Sequence, residues 1–220
     1  GGGSGKPVTF TNLPGCPVIW VNSTTMQFSA GGDIYITASQ AGDSYYDAAE
    51  TVTNHYLVPY SGIFYVDASC PNDNGFATDW TTAKRTIQAA VDLAADGSTI
   101  WVTNGTYVLS AEISVTNAIT IHSVNGPEVT IVDGNGSTRC FNLHDSACLL
   151  SGFTITNGST YYLEYGGVGG GILCDSSMPV ISNCILTANY ASGDWSGSYG
   201  GLYEGSIGGG MYQGTAVCCI

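Results

Sequence analysis

The sequence predicts an all-β protein in two parts, a small β-sandwich followed by the coils of a parallel β-helix. Three observations support this prediction. Val, Ile, Thr and Tyr abound, whereas the strong helix formers Glu, Lys, Gln and Arg are scarce. Short β-rich segments separated by turns fill residues 6–58. A sequence repeat occupies much of residues 63–220.

The first part, residues 1–58, is predicted to be a sandwich because its strands are short and regularly spaced. Turn residues at Gly31-Gly32 and along residues 12–15 separate these strands. Residues 59–62, with the sequence Pro-Tyr-Ser-Gly, are predicted to be a linker. The predicted strands are residues 7–10, 18–21, 26–28, 33–38 and 51–58.

The second part, residues 63–220, is predicted to open with a strand at residues 64–67 and a turn at Asp73-Asn74-Gly75. A helix is predicted over residues 82–95, because apolar residues recur there at helical spacing and form one stripe. We expect this single amphipathic helix to cap a core of strands that begins at residues 99–102. The stripe consists of Ile87, Ala90, Val91 and Ala94.

The strand region repeats, and this is the strongest signal in the sequence. A shift of 39 residues lays residues 169–172 on residues 208–211, and residues 119–121 echo residues 153–155. Since the repeat carries glycine turns but no helix, it predicts β-helix coils stacked about 4.8 Å apart. Shifts of 31 or 35 residues lay Phe141 on Ile172, Leu150 on Ile181, Phe153 on Cys184, Ile155 on Leu186 and Cys184 on Cys219.

The first part resembles a known family. Residues 36–49, followed by a strand that ends at Val58, resemble the end of the Ig-like repeats of large bacterial surface proteins. In such repeats a Gly-x-Pro-Val-Thr-Phe segment lies near the middle, whereas here it occupies residues 5–10. The resemblance therefore implies a partial Ig-like sandwich that lacks its first strands.

The second part resembles another family. Residues 65–67, 73–75, 86–91, 97–100 and 105–107 are similar to the capping segment and first coil of right-handed β-helix proteins of the pectin-lyase-like superfamily. The Gly-Gly-Gly segments are similar to those of secreted, many-coiled bacterial surface proteins. The resemblance implies a capped right-handed parallel β-helix over residues 63–220. It implies little about activity, because one fold hosts many functions.

The charge composition excludes several classes of partner. Four Lys and Arg residues face 17 Asp and Glu residues, a net charge of -13. Nucleic acid and anionic lipid both need clustered Lys and Arg, so neither is an expected partner. No run approaches 18 apolar residues, so no transmembrane helix is predicted. The low charged fraction, 10%, is typical of a secreted protein, and we expect an extracellular or cell-surface location.

The cysteines do not predict a metal site. No two of them form a CxxC pair, and His55, His122 and His144 do not lie at zinc-finger spacing. An even number of cysteines and an extracellular composition permit disulfides but leave their number and pairing open. The eight cysteines occupy positions 16, 70, 140, 148, 174, 184, 218 and 219.

The sequence offers one runner-up catalytic cluster, although no enzyme is predicted. The 31-residue shift brings Asp175 onto His144, beside Asp145, and paired carboxylates roughly 5 to 9.5 Å apart hydrolyse glycosidic bonds. Turn positions explain these residues equally well. Elimination, the other chemistry that the family resemblance implies, needs a Lys or Arg, and Arg139 is the one basic residue after the helix.

No cofactor is predicted, and calcium is the one candidate ion. Asp67, Asn72, Asp73 and Asn74 offer oxygen ligands within one loop, although their spacing is not that of an EF-hand. Asp-Asn-Gly is also a turn signal in its own right.

Aromatic residues crowd the segments inserted into the repeat. Such rings suit sugar stacking or a protein interface, and the alternative is that they fold back over their own loops. The candidates for contact with a glycan or a partner are Tyr161, Tyr162, Tyr165, Tyr190, Trp195, Tyr199, Tyr203 and Tyr212.

The favoured function is structural: an extracellular surface protein whose copies join head to tail into a filament. We expect a piece of a longer precursor in which open strand edges at both ends are templates for strand addition. The alternative for the ends is a protease cut, and the alternative functions are a secreted carbohydrate-active enzyme or a glycan-binding adhesin. The expected interface residues are Pro7, Val8, Thr9, Phe10, Val217, Cys218, Cys219 and Ile220.

Overall fold

The structure is a computed structural model that describes residues 4–145, 147–161, 168–174, 178–192 and 209–220. The chain divides into two compact units, Gly1–Tyr60 and Ser61–Ile220. Strands dominate both units, so the prediction of an all-β protein is confirmed. Helices in the described part of the chain are all too short to cross the apolar layer of a membrane.

The first unit contains an antiparallel three-stranded sheet and a separate hairpin. The long strand β4 is central, because Val8 pairs with Gln40 on one side and Gly32 pairs with Val58 on the other. The sheet order is therefore β1-β4-β5, and the hairpin joins β2 to β3. The strands are β1 Val8–Asn12, β2 Val18–Trp20, β3 Met26–Phe28, β4 Gly32–Gln40 and β5 Val52–Val58.

The core of the first unit is small. Ile34 and Ile36, on the same face of β4, are buried. The hairpin contacts the sheet through Trp20, whose ring stacks on Phe10 at 6.4 Å and whose Nε1 donates to Asn12 Oδ1 at 2.9 Å. Each buried Ile contributes about 1.5–3 kcal/mol, so this unit depends on few side chains.

The second unit begins with β6, Ile63–Val66, a 3₁₀ turn at Trp80–Thr82 and the helix α1, Ile87–Leu93. The prediction of a helix over residues 82–95 was too long. Thr86 is extended and its Oγ1 accepts the Ala89 N–H at 3.4 Å, so it caps the helix one residue before Ile87. Lys84 forms a parallel bridge with Val66 and is unavailable to a helix.

Three parallel sheets form the rest of the second unit, and the chain visits them in rotation. We call one passage through the three sheets a rung. The sheet orders are β6-β7-β10-β13-β17-β21, β8-β11-β14-β18 and β9-β12-β16-β20, and β15 pairs with β19. The strands are β7 Thr99–Val102, β8 Gly105–Val108, β9 Ile113–Val115, β10 Thr120–Ser123, β11 Thr130–Asp133, β12 Phe141–Leu143, β13 Leu149–Ser151, β14 Thr154–Thr156, β15 Ser159–Tyr161, β16 Ile172–Cys174, β17 Val180–Ser182, β18 Ile185–Thr187, β19 Tyr190–Ser192, β20 Met211–Tyr212 and β21 Thr215–Val217.

The 31-residue shift predicts the strand register correctly. Phe141 pairs with Ile172, Leu150 with Ile181 and Ile155 with Leu186. The 39-residue shift is confirmed as well, since Ile172 pairs with Met211. Phe153 and Cys184 each precede the paired residues Thr154 and Ile185, and both are buried.

The similarity between residues 119–121 and residues 153–155 predicted equivalent positions on different rungs, and this prediction was wrong. Thr120 and Ile121 pair with Leu149 and Leu150 in the six-stranded sheet, whereas Thr154 belongs to the sheet of β14. All three sheets require the same alternation of inward apolar and outward polar residues. A three-residue match therefore cannot tell one sheet from another.

Apolar ladders form the core between the sheets. Phe64, Ile100, Ile121, Leu150 and Ile181 are in register along the six-stranded sheet, and all five are fully buried. Each rung adds one such residue to each ladder, so burial grows in proportion to the number of rungs.

Candidate functional site

The first candidate site is the pair of outer edges of the three-stranded sheet. Within the residues described, β5 pairs with β4 alone, and β1 also pairs with β4 alone. This edge strand exposes apolar side chains, since Val52 is 57% exposed and Tyr56 and Leu57 are also exposed. An exposed apolar edge with open backbone groups is a template for strand addition.

The predicted interface residues of the first part lie on the other edge. Pro7, Val8, Thr9 and Phe10 are all exposed, and Val8 begins β1. The ring of Phe10 also stacks on the ring of Trp20. Sequence reasoning recognised β5 as a strand but missed it as an edge, because strand order in an antiparallel sheet is not encoded in hydrophobic alternation.

The predicted interface residues of the second part lie on the last described rung. Val217 pairs with Ser182, and Ile220 makes backbone hydrogen bonds with Cys184 and Leu186. Val217, Cys218 and Ile220 are exposed, whereas Cys219 is half-buried. Among described strands, β21 pairs with β17 alone.

A polar cluster that the sequence did not reveal fastens β5 to β4. His55 Nε2 lies 2.7 Å from Asp33 Oδ1, and the Asp33 carboxyl group is almost fully buried. The His55 ring stacks on Tyr35 at 4.5 Å. Burial, and secondarily the Asp33 charge, raise the pKa of Tyr35. The residues alternate along two neighbouring strands, and only their register brings them together.

The runner-up catalytic residues occupy a turn in the structure. Asp145 Oδ1 accepts the Ala147 N–H at 2.7 Å, and the Asp145 carbonyl accepts the Cys148 N–H at 3.2 Å. His144 is exposed. Asp175 lies outside the described residues. The turn interpretation accounts for the hydrogen bonds of Asp145.

The proposed calcium ligands are engaged with the protein itself. Asp73 Oδ1 accepts the Arg85 and Thr86 N–H groups at 2.7 and 2.8 Å, and Oδ2 accepts Thr86 Oγ1 at 3.0 Å. Lys84 Nζ donates to the Asp73 carbonyl at 2.7 Å, so a positive charge already lies beside this loop.

Two of the other three candidate ligands, Asp67 and Asn72, also serve the loop backbone. Asp67 Oδ1 accepts the Ser69 N–H, and Asn72 Oδ1 accepts the Asn74 N–H. In the described ranges no three His, Cys, Asp or Glu side chains converge as metal ligands. The loop is therefore organised by backbone hydrogen bonds, as its turn signals indicate.

A groove of about 650 Å³ lies between the start of α1 and the segment that joins β8 to β9. Val108 and Leu109 supply an apolar wall. The Arg85 guanidinium makes one long hydrogen bond, from Nη1 to the Pro71 carbonyl at 3.5 Å. The lining residues are Ala68, Pro71, Asn72, Asp73, Arg85, Thr86, Ile87, Gln88, Thr106, Tyr107, Val108, Leu109, Ser110, Ala111, Glu112 and Ile113.

Both carboxylates in this groove are committed to other partners. Asp73 accepts three hydrogen bonds, and Glu112 bonds to Arg139 at 2.6 Å and to Asn142 Nδ2 at 3.1 Å. Arg139 is likewise engaged, because Nε donates to the Gly169 carbonyl at 2.8 Å. The groove therefore offers a concave surface for a ligand, but its two carboxylates are not available as the acid and base of a hydrolase.

The aromatic candidates are described only in part. Tyr190 is exposed on β19, Tyr212 is half-buried on β20, and the backbone of Tyr161 pairs with Ser192. The remaining candidates, Tyr162, Tyr165, Trp195, Tyr199 and Tyr203, lie outside the described residues.

Comparisons with known proteins give no relative. No family model, no curated protein and no solved structure matches the chain significantly.

Proposed function

We propose that the chain is an extracellular structural protein, a rigid spacer of a surface layer or fibre. In this proposal the second unit is a right-handed parallel β-helix and the first is a partial Ig-like sandwich. What supports it is the regular stacking of apolar ladders together with carboxylates that are committed to turns, caps and ion pairs. A net charge of -13 keeps such a surface soluble.

Copies of the chain join by strand addition at the open edges of the three-stranded sheet. The single observation that carries this step is β5, an edge strand whose apolar residues Val52, Tyr56 and Leu57 are exposed. The incoming strand is the segment around Val217 of another copy, whose backbone is engaged on one side only among described strands. Because the two surfaces differ, the contact is heterologous and propagates head to tail as a filament.

The test is sedimentation and electron microscopy of the purified chain over a range of concentrations. Filaments are expected, and Val52→Lys is expected to shorten or abolish them, since an edge lysine opposes strand pairing. Val108→Lys is the matched control, because Val108 is equally exposed but lies on β8 in the second unit. A monomer at every concentration contradicts the proposal.

A second candidate function is binding of a neutral oligosaccharide in the groove. The observation that favours it is the pairing of an apolar wall, Val108 and Leu109, with the Arg85 guanidinium and the Ser110 hydroxyl as polar contacts. The strong negative charge of the chain disfavours acidic polymers. Calorimetric titration with neutral oligosaccharides is expected to give saturable binding that Arg85→Ala weakens and Lys6→Ala does not. No saturable heat with any oligosaccharide removes this function.

A further inference from the structure

The thiols of Cys184 and Cys219 lie side by side on successive rungs. The Ile220 N–H donates to the Cys184 carbonyl at 3.0 Å, and the Leu186 N–H donates to the Ile220 carbonyl at 2.8 Å. This pattern is a parallel ladder in which Ile220 faces Ile185, so Cys219 lies beside Cys184.

The two sulfur atoms also lie against the same piece of backbone. Cys184 Sγ donates to the Ser182 carbonyl at 3.2 Å, and Cys219 Sγ donates to the Ile181 carbonyl at 3.4 Å. Cys219 is among the influences that raise the pKa of Cys184, as expected for two thiols that lie close together. Neighbouring strands are about 4.8 Å apart, which lies within the Cα separation of about 4.4–6.8 Å that a disulfide needs.

We propose that Cys184 and Cys219 are a disulfide site, closed by a small-molecule disulfide such as oxidised glutathione. The bond fastens the last described rung to the rung before it. This inference goes beyond the proposed function and does not depend on it, because the chemistry can be tested on the purified chain.

The reaction runs in two exchanges. The Cys219 thiolate attacks one sulfur of oxidised glutathione, which forms a mixed disulfide and releases one glutathione. The Cys184 thiolate then attacks Cys219 Sγ, which forms the protein disulfide and releases the second glutathione. Two cysteines are oxidised, one glutathione disulfide is reduced, and the two cysteine protons end on the glutathione thiols.

The order of the two exchanges follows from exposure. Cys219 is half-buried and meets the oxidant first, whereas Cys184 is fully buried. Burial raises the pKa of Cys184 to about 11, so its thiolate is scarce at neutral pH. The second exchange should therefore accelerate about tenfold for each pH unit between about 7 and 10.

Another pair of cysteines lies close enough to compete. The Cys174 charge is among the influences that raise the pKa of Cys148. However, the register partner of Cys174 is Leu143, and Cys148 comes only after the turn that follows Leu143. Cys148 and Cys174 are therefore not in register with each other. Their positions lack the direct stacking of Cys184 on Cys219.

To test this, the chain is incubated with a glutathione redox buffer and the reaction is quenched with acid. Free thiols are then alkylated, and chymotryptic peptides are mapped by mass spectrometry. Loss of two of the eight thiols is expected, with a cross-linked peptide that joins Cys184 to Cys219. The product should persist in Cys218→Ser and Cys70→Ser and disappear in Cys184→Ser and Cys219→Ser. Deuterium uptake at Thr215–Val217 should slow by about tenfold after oxidation.

Three outcomes overturn the inference. A disulfide that joins Cys218 to Cys184 or to Cys219, or one that joins Cys148 to Cys174, shows that the proposed pair is wrong. Eight free thiols after prolonged oxidation show that the geometry does not permit closure. The same product distribution in guanidinium chloride and in native buffer shows that the fold does not select the pair, and this comparison needs no variant to fold.

Discussion

Arg139 Nη1 donates to Glu112 Oε2 at 2.6 Å, and the two side chains are 10% and 34% exposed. The same guanidinium donates to the carbonyls of Val168 and Gly169 at 3.1 and 2.8 Å. Glu112 precedes β9, Arg139 precedes β12, and Val168 and Gly169 precede β16. One cation therefore ties three successive rungs together at the same corner.

Arg139→Met is expected to destabilise the chain by about 3 kcal/mol, because it leaves a partly buried carboxylate and two carbonyls without their donors. Glu112→Gln should cost less, about 1 kcal/mol, since the amide oxygen still accepts from Arg139. Urea unfolding of both variants measures the difference. The control is Arg85→Met, which removes the same charge from an exposed site. An equal loss in Arg85→Met and Arg139→Met contradicts this assignment.

Successive rungs approach each other closely at some glycines and not at others. Substitution by alanine is therefore expected to destabilise the chain only where the approach is close. A Cβ at Gly158 would overlap the Gly170 carbonyl and lie 2.8 Å from Asn189 Oδ1, whereas a Cβ at Gly210 meets only Leu186 side-chain atoms at 3.6–3.7 Å. Gly158→Ala is therefore expected to lower the free energy of unfolding by about 2 kcal/mol or more. Gly210→Ala should change it by less than about 0.5 kcal/mol. Comparable losses for the two variants would refute the argument from close approach.

The sequence predicted the strands of both units, but it predicted strand pairing only in the second. In a stack of rungs each residue meets its own repeat, so a constant shift such as that from Phe141 to Ile172 gives the register directly. In an antiparallel sheet the partner of a residue depends on strand order. The pairing of Tyr35 with His55, and the edge position of β5, therefore had no local signal.

The sequence likewise revealed some parts of the candidate sites and not others. Asp145 and Asp73 were each recognised as either a turn residue or a functional acid, and their hydrogen bonds to backbone N–H groups support the turn. The contact between Cys184 and Cys219 was implicit in the 35-residue shift. The groove beside Arg85 was invisible in the sequence, because it is formed by segments far apart in the chain.

The Asp73 carboxylate is expected to hold in place Arg85 and Thr86, the two residues before α1, and not to bind calcium. Asp73→Ala removes three hydrogen bonds from Arg85 and Thr86 and should cost about 1–2 kcal/mol. Adding millimolar calcium should leave the unfolding midpoint of the unaltered chain unchanged. Asn72→Ala, which removes the acceptor for a single loop N–H, is the milder control. A calcium-dependent rise in the midpoint that Asp73→Ala abolishes would restore the calcium site.

His122 is expected to make stability depend on pH. It is the register partner of Trp101, and the two rings stack at 5.0 Å. Burial lowers the pKa of His122 from the ordinary value of 6.5. The unfolded chain therefore binds a proton more readily than the folded chain, and the contribution of His122 to stability is full above pH 6.5. It falls as the pH drops below 6.5 toward the folded-state pKa. Urea unfolding of the unaltered chain and of His122→Gln should show a larger difference at pH 7.5 than at pH 5, with exposed His144→Gln as the control. A difference that is constant across this range means that protonation of His122 does not oppose folding.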